Sequence, residues 1–456
     1  MRKLLLILLL SVFGLSVLAQ KEDSTFIKRI SDEILVNGRA YENLRHLTKK
    51  IGGRLAGSPG MVKAEQWGLK VMKESGADKA WMQECMVPHW VRGGEDMASF
   101  NINGKEGYKK LDVVALGNSL GTGKTGITAE VLLVDSFDDL EKRKDEVKGK
   151  IVFYNYKFND TYINTFLSYR DAGQYRGQGP SRAAKYGAKA VIVRSMSHAA
   201  DNNPHTGATR YDSAYEKIPA IAIGLRDADL LAEELKQTTV VVKMKTNGHF
   251  LPDTIGHNII GELKGTEFPD EIITIGGHLD SWDNGEGAHD DGAGCVQTIE
   301  ILRAFKAIGY KPKRTIRFVL FANEENGLRG GNKYAEEAVA KKEKHILAME
   351  SDAGGFTPRA LGFTGSDEQY QKFLSWKNLI APYGCTEFNK GGGGADIGPL
   401  NRALKTPMVS LIPDSQRYFD IHHSRSDVFE AVNKRELELG AVNMAALIYL
   451  VDKYGL

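Results

Sequence analysis

The spacing of hydrophobic positions changes twice along the chain. From Thr25 to about Gly76 apolar residues recur every three or four positions, in "STFIKRISDEILVNG" and "MVKAEQWGLKVMKESG", each closed by glycine. That spacing predicts two amphipathic helices around a turn-rich "IGGRLAGSPG". After Val113 the texture shifts to short β-branched runs, "ITAEVLLV", "KIVFYNY", "AVIVRS" and "AIAIG", interleaved with helix-like "SRAAKYGAK" and "RDADLLAEELK". This predicts a smaller α/β unit. From His257 the runs lengthen and alternate with long helical patterns, through "EIITIGGHLD", "TIRFVLFANEE" and "HILAMESDAGG" to a final "NKRELELGAVNMAALIYLVDKYG". Strands alternating with helices predict an α/β fold, a mostly parallel sheet sandwiched by helices. The ligand site of such a sheet lies beyond the carboxyl ends of its strands.

The opening "MRKLLLILLLSVFGLSVLAQ" pairs a basic start, Arg2 and Lys3, with an apolar run and a small-residue end at Val17 and Ala19. This is the layout of a signal peptide, residues 1–19, cut after Ala19. About 15 apolar residues fall short of the roughly 20 that span a bilayer, and no lipid-attachment cysteine follows. The mature chain is expected to be secreted or periplasmic, with no membrane span. Its net charge falls from +2 to zero when the leader takes Arg2 and Lys3 with it. No broad basic field remains for nucleic acid. Cys85, Cys295 and Cys385 are too scattered for a disulfide framework or a thiolate metal site. The "NDT" at Asn159 is a glycosylation sequon only in a glycosylating host.

Two short motifs mislead. "GNSLGTGKTG", residues 117–126, nearly spells a phosphate loop and contains a G-x-S-x-G around Ser119. A phosphate loop must open a helix and a hydrolase elbow must join strand to helix, whereas β-rich "ITAEVLLV" follows here. A glycine-rich connection is the expectation.

The chemistry lies further on. In "TIRFVLFANEENGLRGG", residues 315–331, a core strand delivers Glu324 and Glu325 side by side. Like charges packed together raise each other's pKa unless a cation compensates. In "GGHLDSWDNGEGAHDDGAG", residues 276–294, His278 and Asp280 are two apart. If the strand continues they share a face, and Asp280 can orient the imidazole. Asp290 and Asp291 precede a helix whose Val296, Ile299, Leu302 and Phe305 form a core stripe. Asp352 ends another strand, and His422 and His423 stand in "YFDIHHSRSD". His278, Asp290, Glu325, Asp352 and one of the C-terminal histidines offer oxygen and nitrogen ligands suited to zinc, and a shared carboxylate allows two ions about 3.5–4 Å apart. One glutamate then ligates, while its neighbour takes a proton from the activated water and returns it to the departing amine.

These motifs, "GGHLDSW…GAHDDGAG", "KPKRTIRFVLFANEENG", "AMESDAGGFTP…LGFTGS" and "HHSRSD", stand in an order that resembles metallopeptidase family 28, the co-catalytic zinc exopeptidases. The resemblance covers nearly the whole mature chain. It implies a zinc-exopeptidase fold, two Zn2+, His278 and Asp352 on separate zincs, Asp290 bridging, Glu325 and His423 completing the ligands, and Glu324 as general base. His423 is preferred to His422 because relatives place the ligand just before Ser or Thr in H-[ST]-x-x-D. A cis peptide at Asp290–Asp291 is also implied.

The resemblance divides the chain into catalytic parts at 20–110 and 251–456, the latter with the metal site, around an insert at 111–250 similar to a protease-associated domain. Two departures stand out: His422 replaces a tyrosine that donates to the oxyanion in many relatives, and Asp396 stands in "KGGGGADIGPL" where a loop bordering the substrate pocket often reads SDH. Both are candidates for oxyanion or substrate contacts. The implied activity is hydrolysis of dipeptides or short peptides, as aminopeptidase, carboxypeptidase or dipeptidase, by a homodimer. The alternatives are a non-catalytic receptor or binding module on the same fold, and a single-zinc glutaminyl cyclase.

Overall fold

The computed structural model describes residues 2–102 and 107–456, with side chains described from Gln20 onward. The expected signal peptide, residues 1–19, therefore lies outside the described side chains. No helix among the described residues is long and apolar enough to cross a membrane.

The larger of two sheet systems carries the site. Its strands lie in the spatial order Lys79–Val91, His249–Leu263, Arg314–Phe321, Phe268–His278, Lys344–Glu350, Met408–Pro413, Pro358–Thr364 and Glu387–Lys390. The centre is parallel, from Arg314–Phe321 through Phe268–His278 and Lys344–Glu350 to Met408–Pro413. The flank made by Lys79–Val91 and His249–Leu263 is antiparallel. Central strands covered on both faces must be apolar throughout, not alternating. Ile316, Phe318, Val319, Leu320 and Phe321 are accordingly all fully buried.

Helices close both faces. The early helical stripe packs as its spacing predicts, with Ile27, Ile30 and Ile34 at no exposure. They share a core with Val296, Ile299, Leu302 and Phe305 of Ala293–Ala307, and with the C-terminal helix Lys434–Tyr454.

A second system of eight strands runs Lys109–Leu111, Met97–Ile102, Val240–Lys245, Ile127–Val134, Ile151–Tyr154, Ala190–Arg194, Ala220–Ile223 and Val113–Ala115. It is parallel from Ile127–Val134 to Ala220–Ile223. Separate cores on its two faces hold it together. Its strands begin at Met97, ahead of residue 111, because Met97–Ile102 pairs with Val240–Lys245 at the far end of the segment. The glycine-rich stretch 117–126 is a loop followed by the strand Ile127–Val134. Ser119 is fully buried there, its Oγ accepting the Ala220 amide at 2.8 Å, a structural role. All three cysteines are buried and unbridged.

The central strand should tolerate truncation poorly: Phe318→Ala is expected to cost about 3–5 kcal/mol by denaturant unfolding, the usual cost of emptying a large core side chain.

Candidate metal centre

Adjacent parallel strands bring the key residues together. Phe268–His278 lies between Arg314–Phe321 and Lys344–Glu350. His278 ends the first, Glu324 and Glu325 follow the second, and Asp352 follows the third. The turn Ala288–Gly292 adds Asp290, and the segment after Tyr418–Ile421 adds His422 and His423. The Asp290–Asp291 peptide is cis.

Asp290 is central. His278 Nε2 lies 3.1 Å from its Oδ1, and His423 Nε2 lies 3.1 Å from its Oδ2. His278 Nε2 also sits 3.4 Å from Asp352 Oδ1, and His423 Nε2 sits 3.0 Å from Glu325 Oε2. Two donor groups result, His278 with Asp290 and Asp352, and Asp290 with His422 and His423, each with its atoms within 4.8 Å of one another. The structure brings His278 and Asp352, at the ends of neighbouring strands, into one donor group, where the resemblance implied separate ions. His422 Nε2 is 3.4 Å from Asp290 Oδ2, and its ring stacks on that of His423. Asp396 lies outside both groups.

The strand ends at His278, two residues short of Asp280. His278 Nδ1 meets the Asp280 backbone carbonyl at 3.0 Å, with the Asp280 carboxylate 3.8 Å away. The carboxylate of Asp280 accepts the backbone amides of Glu324 at 3.0 Å and Glu325 at 3.3 Å, and so holds the paired glutamates.

Further supports went unassigned in the sequence. Asp291 accepts the amides of His278 at 3.0 Å and Gly294 at 2.9 Å. Asp427, the last residue of the H-S-R-S-D pattern, accepts those of His289 at 2.7 Å and Asp290 at 3.1 Å. That pattern was its one sequence signal. Buried Arg54 donates to the carbonyls of Leu279, Glu286 and Gly287 and ties down the loop between His278 and Asp290. Its partners are all backbone, which leaves no trace in residue spacing.

The electrostatics are short of positive charge. Burial, with the charge of Asp290 adding to it, pushes Glu325 up to about 7. Burial, followed by the charges of Asp352 and Glu325 against the pull of His278, holds Glu324 well above the ordinary range. Burial disfavours protonation of His278, yet Asp352 and Asp290 outweigh it and raise the imidazole well above its usual value. His422 goes the other way, since burial and the neighbouring His423 keep it neutral. Glu325 Oε1 is buried with no hydrogen-bond donor, and Asp290 Oδ2, buried too, has only the two histidine nitrogens beside it and no aligned donor. Oxygen and nitrogen donors converging on such orphaned oxygens fit a divalent ion of the zinc type.

Beside the donors lies a cavity of about 310 Å³, lined by Glu324, Asp352 and His422 on one side and Tyr169, Arg176 and Arg210 on the other.

An α/β sheet with these groups beyond its carboxyl edge defines a metallopeptidase. The family model for peptidase family M28 matches residues 258–448. Carboxypeptidase Q of Homo sapiens is 36% identical over 414 residues, 91% of this chain and 85% of the relative. A solved peptidase M28 precursor from Shewanella amazonensis has a TM-score of 0.90 at 32% identity, covering 95% of this chain and 97% of the other. A zinc aminopeptidase from Bacillus subtilis shares the fold, with a TM-score of 0.65 at 21% identity and coverage of 90% and 94%. The chain belongs to peptidase family M28, near carboxypeptidase Q.

The raised Glu325 carboxyl gives a pH-dependent expectation. A buried acid whose folded value exceeds its ordinary 4.5 costs stability as pH rises through that window, because the folded state must release its proton at an unfavourable site. In chelator-treated protein, Glu325→Gln should therefore be more stable than the parent above pH 7. The difference should shrink toward pH 4.5, as thermal melts across pH would measure.

Proposed function

We propose that the protein is a secreted dizinc exopeptidase hydrolysing dipeptides or short peptides, with Glu324 as general base. The observation that carries this reading is the position of Asp290, whose two oxygens face different donor groups. His278, Asp290 and Asp352 would hold one zinc, and Asp290, Glu325 and His423 the other. Bound zinc supplies Lewis-acid polarisation of a peptide carbonyl and lowers the pKa of water to about 7.

The chain's own residues do the rest. Glu324 faces the cavity, and its raised carboxyl is suited to accept a proton from water and pass it to the leaving amine. Asp280 fixes its backbone. Neutral His422 in the cavity wall is the proposed donor to the oxyanion. No role is proposed for Asp396.

The strands from Met97 to Lys245 are proposed as a protease-associated-like insert that walls off the cavity and so limits substrate length. Arg176 Nε is buried without a hydrogen-bond partner. Arg210 forms no ion pair among the described residues and lines the same cavity. Two such cations favour substrates with a free C-terminal carboxylate, in keeping with the carboxypeptidase named in the relatives. Export is supported by the signal-peptide-like pattern of residues 1–19. A homodimer is supported by Met86, Phe250, Leu251 and Ile255, exposed on the two paired strands at the sheet's edge.

Two measurements test this. Glu324→Gln should retain zinc by metal analysis while turnover falls by about 10²–10⁴, the usual worth of a positioned general base. The parent enzyme should cleave a free dipeptide at least about tenfold more efficiently than its C-terminal amide, the effect of about 1.4 kcal/mol of carboxylate recognition. Equal rates on both would remove the carboxylate reading and leave the general base standing.

A further inference from the structure

We infer that the loop 205–207 of the second sheet system is a built-in support of the metal centre, with the Thr206 carbonyl orienting the ring of His423. The inference rests on the reading of His423 as a zinc ligand. His423 is a non-glycine residue with φ +59°, in the sparsely populated left-handed region. Such a backbone persists only where its surroundings over-determine it. Here they do. The Thr206 amide donates to the His423 carbonyl at 2.9 Å, and Asn284 Nδ2 donates to the same oxygen at 3.0 Å. In return, His423 Nδ1 lies 3.3 Å from the Thr206 carbonyl.

A carbonyl can only accept, so this contact keeps the ring hydrogen on Nδ1 and leaves the Nε2 lone pair facing Asp290 and Glu325. A hydrogen bond to the far nitrogen is how proteins commonly fix the tautomer and direction of a ligating histidine. Arg176 Nη1 reaches the same carbonyl at 3.3 Å and Nδ1 at 3.4 Å. The guanidinium can only donate, and it already donates to the Thr206 carbonyl; its longer contact with Nδ1 competes with the ring hydrogen, and the shorter Nδ1–carbonyl contact favours that hydrogen on Nδ1.

The loop is anchored away from the main sheet. Thr206 Oγ1 donates to Ala115 O at 2.8 Å, the Gly117 amide donates to Gly207 O at 3.0 Å, and the His205 amide donates to Ser195 Oγ at 2.9 Å. Gly207 makes the close approach feasible. Its φ is +126°, and a Cβ there would lie 2.7 Å from His423 Nδ1 and 2.5 Å from the Arg176 guanidinium carbon. The seating of the second sheet system thus sets the affinity of one zinc site, the one completed by His423.

Zinc titration against a chelating indicator tests this, with apo-protein melting measured alongside. In Gly207→Ala the His423 site should weaken by about 10–100-fold, the usual effect of losing a support behind a metal ligand. The His278 site should keep its parent affinity, while the apo melting temperature falls modestly with the strain that a Cβ meets at φ +126°. Thr206→Val, which removes only the Oγ1 anchor, should weaken the same site in a chain that keeps its backbone. His278→Ala, weakening the other site, identifies which affinity is which. Unchanged affinities in both variants, or loss of both zincs together with a lower apo melting temperature, would overturn the inference alone. A parent chain that holds no zinc would overturn the metallopeptidase mechanism with it.

Discussion

Carboxylates gathered in a volume poor in water repel one another, and the architecture is organised around that cost. Two like unit charges about 4 Å apart at an effective dielectric near 20 repel by about 4 kcal/mol. Asp290, Glu325 and Asp352 meet at the strand ends, with Asp291 and Glu350 buried behind them. Burial and the charge of Asp352 push Glu350 up to about 7. Arg54, a buried permanent cation on the main-sheet side, is committed to backbone carbonyls and donates to none of these oxygens. A chain that only needed to fold would place apolar groups here, since buried charge without compensation is destabilising. Retention of the cluster makes sense where divalent cations offset it.

The sheet makes that concentration mechanically possible. Its central strands are packed on both faces, and their carboxyl halves, such as Phe318 to Phe321, are apolar and buried, so their ends are fixed in space. The site residues Glu324, Glu325 and Asp352 then follow just past the ends of such strands. Short range matters too: Asp280 bonds the amides of Glu324 and Glu325, and Asp291 bonds that of His278. Carboxylates that ligate nothing in the proposed mechanism therefore spend their charge on the backbone that presents those that do. Charge-assisted hydrogen bonds of this kind are about twice as strong as neutral ones.

What was legible in the sequence follows from what leaves a periodic or local trace. The buried run from Ile316 to Phe321 announced a core strand, and the stripe Val296, Ile299, Leu302 and Phe305 announced its covering helix. The polar residues just beyond such runs were legible as a cluster for the same reason. The pairing of His278 with Asp352 was not, because it depends on which strands are neighbours, and strand order is not encoded in spacing. The bonds from the Glu324 and Glu325 amides to the Asp280 carboxylate were hidden because they join segments more than 40 residues apart. Arg54, Thr206 and Arg176 were invisible because each acts on a backbone carbonyl or across a gap of more than 200 residues.

The C-terminal segment around residues 418–427 belongs to neither sheet system alone. Tyr418 and Phe419 pack in one apolar cluster with Phe158, Ala172 and Met196 of the second system and with Phe356 of the first. Tyr169 stacks on Phe419 at 4.6 Å and meets His422 edge-on at 4.9 Å. From the other side, Asp427 holds the amides of His289 and Asp290. A segment seated this way transmits any displacement of one sheet system to the other within a few residues. Close-packed interfaces shift between discrete arrangements and do not deform continuously. Parting the two systems along it would pull on His423, whose carbonyl accepts the Thr206 amide, and so disturb its contact with Asp290.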